Sequence, residues 1–156
     1  PLKPLGILDP LPFDDLGPDK MAMVRRALGW RMTHNITGIC FFHAWTPEQT
    51  AEMIAALTGW NTSVMELWLA AERAYVMARA FNTREGLGPE DDLIHPRFTQ
   101  PLPAGKVAGK TFSLEEYRAA LRCFYDLMGW DQTTGAPTRT HLLELGIPWV
   151  ADLLEG

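Results

Sequence analysis

The sequence predicts an all-α fold, an irregular set of helices joined by proline- and glycine-rich loops. Three observations predict it. Apolar residues recur every three or four positions through most of the chain. Ser or Thr opens these stretches in a capping pattern, and glycine follows them. No apolar–polar alternation is long enough to make a strand, and no internal repeat occurs.

The elements follow in order. Residues 1–18 carry Pro1, Pro4, Pro10, Pro12 and Pro18. Proline fixes φ and lacks an N–H, so an extended lead-in is expected there. Met21, Val24, Leu28 and Met32 then recur at helical spacing, with Lys20, Arg25 and Arg26 between them. They predict a helix from Asp19 to Thr33, with Gly38 ending or bending it. Thr46-Pro47-Glu48-Gln49 combines a capping box with a proline in the first turn. It predicts a second helix to Leu57, stopped at Gly59. Ser63-Val64-Met65-Glu66 is a further capping box. It opens a long helix whose stripe is Val64, Leu67, Trp68, Ala71, Ala74, Tyr75, Ala78 and Phe81, with Gly86 as the stop. Residues 86–112 are rich in Gly and Pro and predict a loop, with one helical turn at Pro89-Glu90-Asp91-Asp92. Ser113-Leu114-Glu115-Glu116 opens a fourth helix. Its stripe runs Leu114, Tyr117, Leu121, Phe124, Tyr125 and Met128 before Gly129. Thr138 caps a short helix to Leu145, ended by Gly146, and Pro148 to Leu154 make a last turn. The chain thus divides into a lead-in, 1–18, and a helical domain, 19–156.

Composition narrows the classes of function. With 156 residues, 47% hydrophobic and 21% charged, the chain can bury a core and is not disordered. Fourteen Lys+Arg against nineteen Asp+Glu, with no basic block, exclude nucleic acid as a partner. No apolar run approaches the ~20 residues that span a bilayer, so no membrane partner is expected. There is no secretory signal pattern, and two cysteines are not a disulfide framework. A reducing, cytoplasmic location is the expectation. The chain opens on Pro1 rather than Met, and it carries six Trp and seven Met. Both features lead us to expect a piece of a longer protein, with apolar surface meant for its neighbours.

Chemistry concentrates in Asn35-Ile36-Thr37-Gly38-Ile39-Cys40-Phe41-Phe42-His43. Gly38 lets another group approach the backbone closely. A thiolate among large apolar residues suits an iron–sulfur ligand, although four such ligands are needed. The alternative is a buried structural cysteine, since free cysteine is among the most buried residue types. Cys123 lies inside the fourth helix next to its apolar stripe and reads as core. Cys40 with His43 could be half of a zinc site completed from His34, His95, His141 or Cys123, but the spacings match no zinc pattern. A Cys–His nucleophile pair lacks a supporting local motif. Phe81-Asn82-Thr83-Arg84-Glu85-Gly86 reads as a helix end, where Arg84 complements the helix dipole. Asp91-Asp92 reads as a solvated turn, and Trp68 and Tyr75 as core.

Taken together, these pieces form an ordered set. Leu5-Gly6-Ile7-Leu8-Asp9-Pro10-Leu11 comes first, then Trp30 and Asn35-Ile36-Thr37-Gly38-Ile39-Cys40. Gly59-Trp60, Ala71-Glu72-Arg73, the Phe81–Gly86 segment and Asp91-Asp92 follow. Tyr125, Gly129-Trp130-Asp131, Gly135, Pro137-Thr138 and Leu145-Gly146 close the series. This order resembles the C-terminal part of the aldehyde ferredoxin oxidoreductase family, the tungsten-pterin enzymes.

The resemblance implies that Cys40 is a metal ligand, the fourth thiolate of a [4Fe–4S] cluster whose other three cysteines lie far upstream. It implies that Asn35, Gly38 and Ile39 lie along the pterin of a tungsten (or molybdenum) cofactor. The family has an acidic residue where this chain has Asn35; the amide can still accept a hydrogen bond, without the charge. The family reaction oxidises a small aldehyde to a carboxylate and passes electrons through the cluster to ferredoxin. Implied partners are the N-terminal part of the same enzyme, ferredoxin and the aldehyde. No catalytic residue falls in this segment, so the segment alone is expected to be inactive and to hold neither cofactor. Ile39, Phe41, Phe42 and Trp45 are expected to face the missing domain and, without it, to drive self-association. Two alternatives remain: a free-standing helical interaction domain that has lost the redox centre, and a relative with other chemistry, such as aryl-CoA reduction.

Overall fold

A computed structural model describes residues 2–154. Among them there are six α-helices and two short 3-10 turns, with no strand beyond an isolated bridge between Trp130 and Pro137. The all-α expectation is met. The helices are α1 (Pro18–Thr37), α2 (Pro47–Thr58), α3 (Val64–Arg84), α4 (Leu114–Leu127), α5 (Arg139–Glu144) and α6 (Trp149–Asp152).

The capping residues read from the sequence set most of these boundaries. Thr46 and Ser113 both form reciprocal capping boxes, with Gln49 and Glu116. Ser63 caps α3 through the Glu66 N–H, but the box is only half made. The Glu66 carboxylate turns instead to Arg73, at 3.3 Å. The first helix continues one turn past Thr33. The Thr37 hydroxyl donates to the Thr33 carbonyl at 2.7 Å, and Gly38 then ends the helix in the left-handed region, φ 69°. The lead-in is not wholly extended, because Lys3–Leu5 forms a 3-10 turn. Lys20 Nζ fastens it to α1 by donating to the carbonyls of Leu11 and Pro12. The helical turn expected at residues 89–92 is a hydrogen-bonded turn around Gly88 and Asp91, and the short helix of that loop is a 3-10 turn at Pro96–Thr99.

Helix α3 is the spine. Helix α1 lies along it, α4 packs against α1, and α2 sits at the start of α3. The main core joins Val76 and Ala80 of α3 to Phe124 and Tyr125 of α4 and to Met128, Trp130, Leu142, Leu145 and Val150 beyond it. A smaller cluster joins Ala51 and Ile54 of α2 to Leu67 of α3, with Ile39 against it. Gly29 sets the approach of α1 to α3. A Cβ there would lie 2.2 Å from Trp68 Nε1, whose N–H donates to the Arg26 carbonyl.

Two buried ion networks staple these layers. Arg25 of α1 donates through Nε and Nη2 to Glu72 of α3, which is 3% exposed and faces His141 of α5. The second network is centred on Arg79 and belongs with the candidate sites below. A buried carboxylate or guanidinium is tolerated only when paired in this way.

Candidate functional site

Cys40 stands at the C-terminal end of α1. The Gly38 N–H donates to the Asn35 carbonyl and the Ile39 N–H to the His34 carbonyl, a Schellman closure. This closure turns the chain sharply. Ile39 drops into the α2–α3 cluster, while the next residue, Cys40, is thrown outward as an exposed free thiol. The expectation that Ile39 faces outward with its neighbours is therefore corrected: it anchors the loop. The reading of Cys40 as a buried structural cysteine fails for the same reason. Cys123 is half-buried on α4.

Around Cys40 the aromatic residues are exposed as expected. Phe42 is 92% exposed, Phe41 49% and Trp45 48%. Arg31 lies over the Phe41 ring at 4.6 Å. Behind them stands a pair of imidazoles, His34 and His43, with ring centroids 5.1 Å apart. His34 Nδ1 donates to the Trp30 carbonyl at 2.9 Å, which leaves its Nε2 as the acceptor when neutral. His43 Nδ1 accepts the Trp45 N–H at 3.0 Å, and its Nε2 is buried with no partner among the described residues. Asn35 is exposed on the last turn of α1, its amide touching only the Met32 sulfur at 3.9 Å.

The zinc option is not supported: among the described residues no group of three or more His, Cys, Asp or Glu could hold a metal ion. His34 and His43 are brought together, whereas His95 and His141 lie on other elements. The Cys40 loop fits a different demand. It offers one outward thiol, apolar walls that could exclude water once covered, and no carboxylate. That is the donor chemistry of a single ligand to an iron–sulfur cluster whose other ligands come from elsewhere.

A second constellation escaped the sequence reading. Arg79 of α3 is 6% exposed. Its Nε donates to the Gly135 carbonyl at 2.8 Å, Nη1 to Asp92 at 2.6 Å and Nη2 to the Tyr125 hydroxyl at 2.8 Å. Tyr125 in turn donates to Asp92. The guanidinium also lies 4.7 Å from the Trp130 ring. Burial first, and then the Asp92 carboxylate, push the Tyr125 phenol well above its usual range. Gly135 is required here, since it has φ +73° and a Cβ would lie 2.0 Å from Arg79 Nη2. Asp92 is therefore no solvated turn residue. The available signal was the placement of Arg79 beside Tyr75, Val76 and Ala80, a cation on the apolar side of a long helix.

Comparison with known proteins gives this arrangement a context. The family model described as "Aldehyde ferredoxin oxidoreductase, domains 2 & 3" matches residues 3–147. The chain belongs to the aldehyde ferredoxin oxidoreductase family. A tungsten-containing aldehyde ferredoxin oxidoreductase of Pyrococcus horikoshii is 28% identical over 137 residues, covering 85% of this chain and 22% of that protein. An aliphatic sulfonate oxidoreductase, WOR-like subunit, of Pyrococcus furiosus is 41% identical over 58 residues, 37% of this chain and 9% of that one. The chain therefore spans about a fifth of the length of the first relative. Among solved structures, the active-site complex BamBC of benzoyl coenzyme A reductase with 1,5-dienoyl-CoA shares the fold. Its TM-score is 0.66 at 24% identity, covering 94% of this chain and 21% of that one. The Asn35–Cys40 segment and the residues of the Arg79 network both fall inside the matched region.

Proposed function

We propose that this chain is the C-terminal helical part, residues 19–156 behind a lead-in at 1–18, of a larger aldehyde ferredoxin oxidoreductase-type enzyme. In this reading Cys40 supplies one thiolate to a [4Fe–4S] cluster. Asn35, Gly38 and Ile39 form the backbone shelf beside a tungstopterin. When bound, these groups supply the oxidation of an aldehyde and water to a carboxylic acid, with two protons and two electrons released and the electrons passed to ferredoxin.

The chain's own residues prepare the site. The Gly38 closure holds the Cys40 thiol outward, and Ile39 fixes the loop against α2 and α3. The Asn35 amide oxygen is uncommitted and can accept a hydrogen bond from a cofactor N–H. Phe41, Phe42 and Trp45 are apolar cover, suited to pack against the remainder of the enzyme and to keep water from the cluster. The observation that carries the reading is the exposed thiol of Cys40 inside this unpartnered aromatic collar. Membership of the family supports it. No helix among the described residues is long and apolar enough to cross a membrane; the cytoplasmic setting is part of the proposal.

The test is Cys40→Ser in the full-length enzyme, purified anaerobically. The expected result is loss of cluster iron and of its reduced-state EPR signal, with the helical circular dichroism unchanged. Unaltered iron content and EPR signal would overturn the assignment, because the cluster would then be held without Cys40.

A further inference from the structure

Between α1, α3 and α4 lies an open cleft of about 480 Å³ that the packing of the core leaves unfilled. Cys40 and its aromatic collar do not line it. Met21, Val24 and Leu28 of α1 form one wall, and Leu121 and Phe124 of α4 form another. Arg79, Asp92 and Tyr125 also line it, with Asn82 one turn beyond Arg79 on α3.

We infer that this cleft is a binding site for a neutral, mostly apolar small molecule carrying one hydroxyl or carbonyl group. Size and lining come first. Sites for small molecules are concave, of roughly 300–1,000 Å³, and apolar with a few converging polar groups.

The charge of the ligand follows from the Arg79 network. The guanidinium and the Asp92 carboxylate form a closed pair at 2.6 Å, and all three guanidinium nitrogens are already committed. An incoming ion of either sign would meet a neutralised floor and lose its hydration without gaining a counter-charge. A neutral head does not carry that cost.

A hydrogen-bonding group is available for such a head. Tyr75 lines the cleft, and its hydroxyl makes no hydrogen bond among the described residues. Its ring is held in place by parallel stacking on Trp130, with centroids 5.9 Å apart and planes 7° apart. It lies within the electrostatic reach of both Asp92 and Arg79. A fixed phenol that can donate or accept selects a hydroxyl or carbonyl over a bare hydrocarbon.

The experiment is isothermal titration calorimetry of the full-length protein near neutral pH with 4-ethylphenol, 4-ethylbenzoate and 4-ethylbenzylammonium. The expected result is saturable binding of 4-ethylphenol, one per chain, at least about tenfold tighter than either ion. Leu28→Trp, which fills the cleft, should abolish this binding while leaving the melting temperature unchanged or raised. Should that variant fail to fold, Tyr75→Phe keeps the ring and removes only the hydroxyl. It should weaken 4-ethylphenol binding by about tenfold, the size expected for one lost hydrogen bond. Absence of saturable binding, equal affinity for the ions, or 4-ethylphenol binding unmoved in the folded variants would overturn the inference. So would a full-length structure in which another segment of the same chain fills the cleft.

Discussion

The Arg79 network and the Cys40 loop are opposites. At Arg79 a charge is buried and each guanidinium nitrogen makes a hydrogen bond, and the glycine beneath it has no room for a methyl group. At Cys40 the thiol is exposed and three large aromatic side chains stand in solvent, with a histidine nitrogen left unpartnered behind them. The first region is complete within the described residues. The second has the appearance of one half of a contact. Substitutions should therefore cost stability at one and leave it untouched at the other.

The largest effect is expected at Arg79→Leu. It strands the Asp92 carboxylate, the Tyr125 hydroxyl and the Gly135 carbonyl together, and removing one partner of a buried ion pair costs about 3–5 kcal/mol. Urea denaturation followed by circular dichroism measures this directly. A loss under about 1 kcal/mol would erase the contrast, because surface substitutions also fall near that range.

Alkaline titration probes the same region with no mutation. The chain has three tyrosines, and burial raises the pKa of each of them, Tyr75, Tyr117 and Tyr125, with the Asp92 charge adding to it. A raised folded-state pKa means that the stabilising contribution is complete below the ordinary phenol value of 10.0 and is lost as pH rises through the folded value. Phenolate absorbance should therefore lag behind that of free tyrosine and rise together with the loss of helical signal. Three phenols ionising near pH 10 in an intact helical protein would contradict the buried network.

The smallest effect on stability is expected at Phe42→Ser. Its ring is almost wholly in solvent, so stability should change by no more than about 0.5 kcal/mol. Self-association of the isolated chain should fall, as read by sedimentation velocity across a concentration series. Marked destabilisation would show that the aromatic collar packs internally.

Much of the fold was legible in the sequence because capping is local. Thr46, Ser63, Ser113 and Thr138 each cap the helix they were expected to open. What the capping pattern missed at the helix ends was set by side-chain bonds one or two turns away. Glu66 left its capping box for Arg73, and Thr37 carried α1 past Thr33 through a side-chain bond. The Cys40 loop was legible as a segment, since Gly38 and the aromatic residues stand beside the cysteine in sequence. The opposite orientations of Ile39 and Cys40 were not, because they depend on α2 and α3 being present to receive Ile39. Arg79 was passed over because a long helix usually carries its arginines to solvent, and its burial depends on residues far along the chain. The cleft was invisible for the same reason, as its walls come from three separate helices.

The spacing of the Arg79 partners also has a consequence in time. They lie 13, 46 and 56 positions farther along the chain. During synthesis α3 is complete long before Tyr125 and Gly135 exist, so for that interval its arginine must stay hydrated and the apolar side of the helix uncovered. Contacts this distant in sequence slow folding, and exposed apolar surface invites misassembly meanwhile. Tyr125 and Gly135 thus act as a late latch on α3, and a nascent chain halted before Gly135 would have α1 to α4 formed and its centre open.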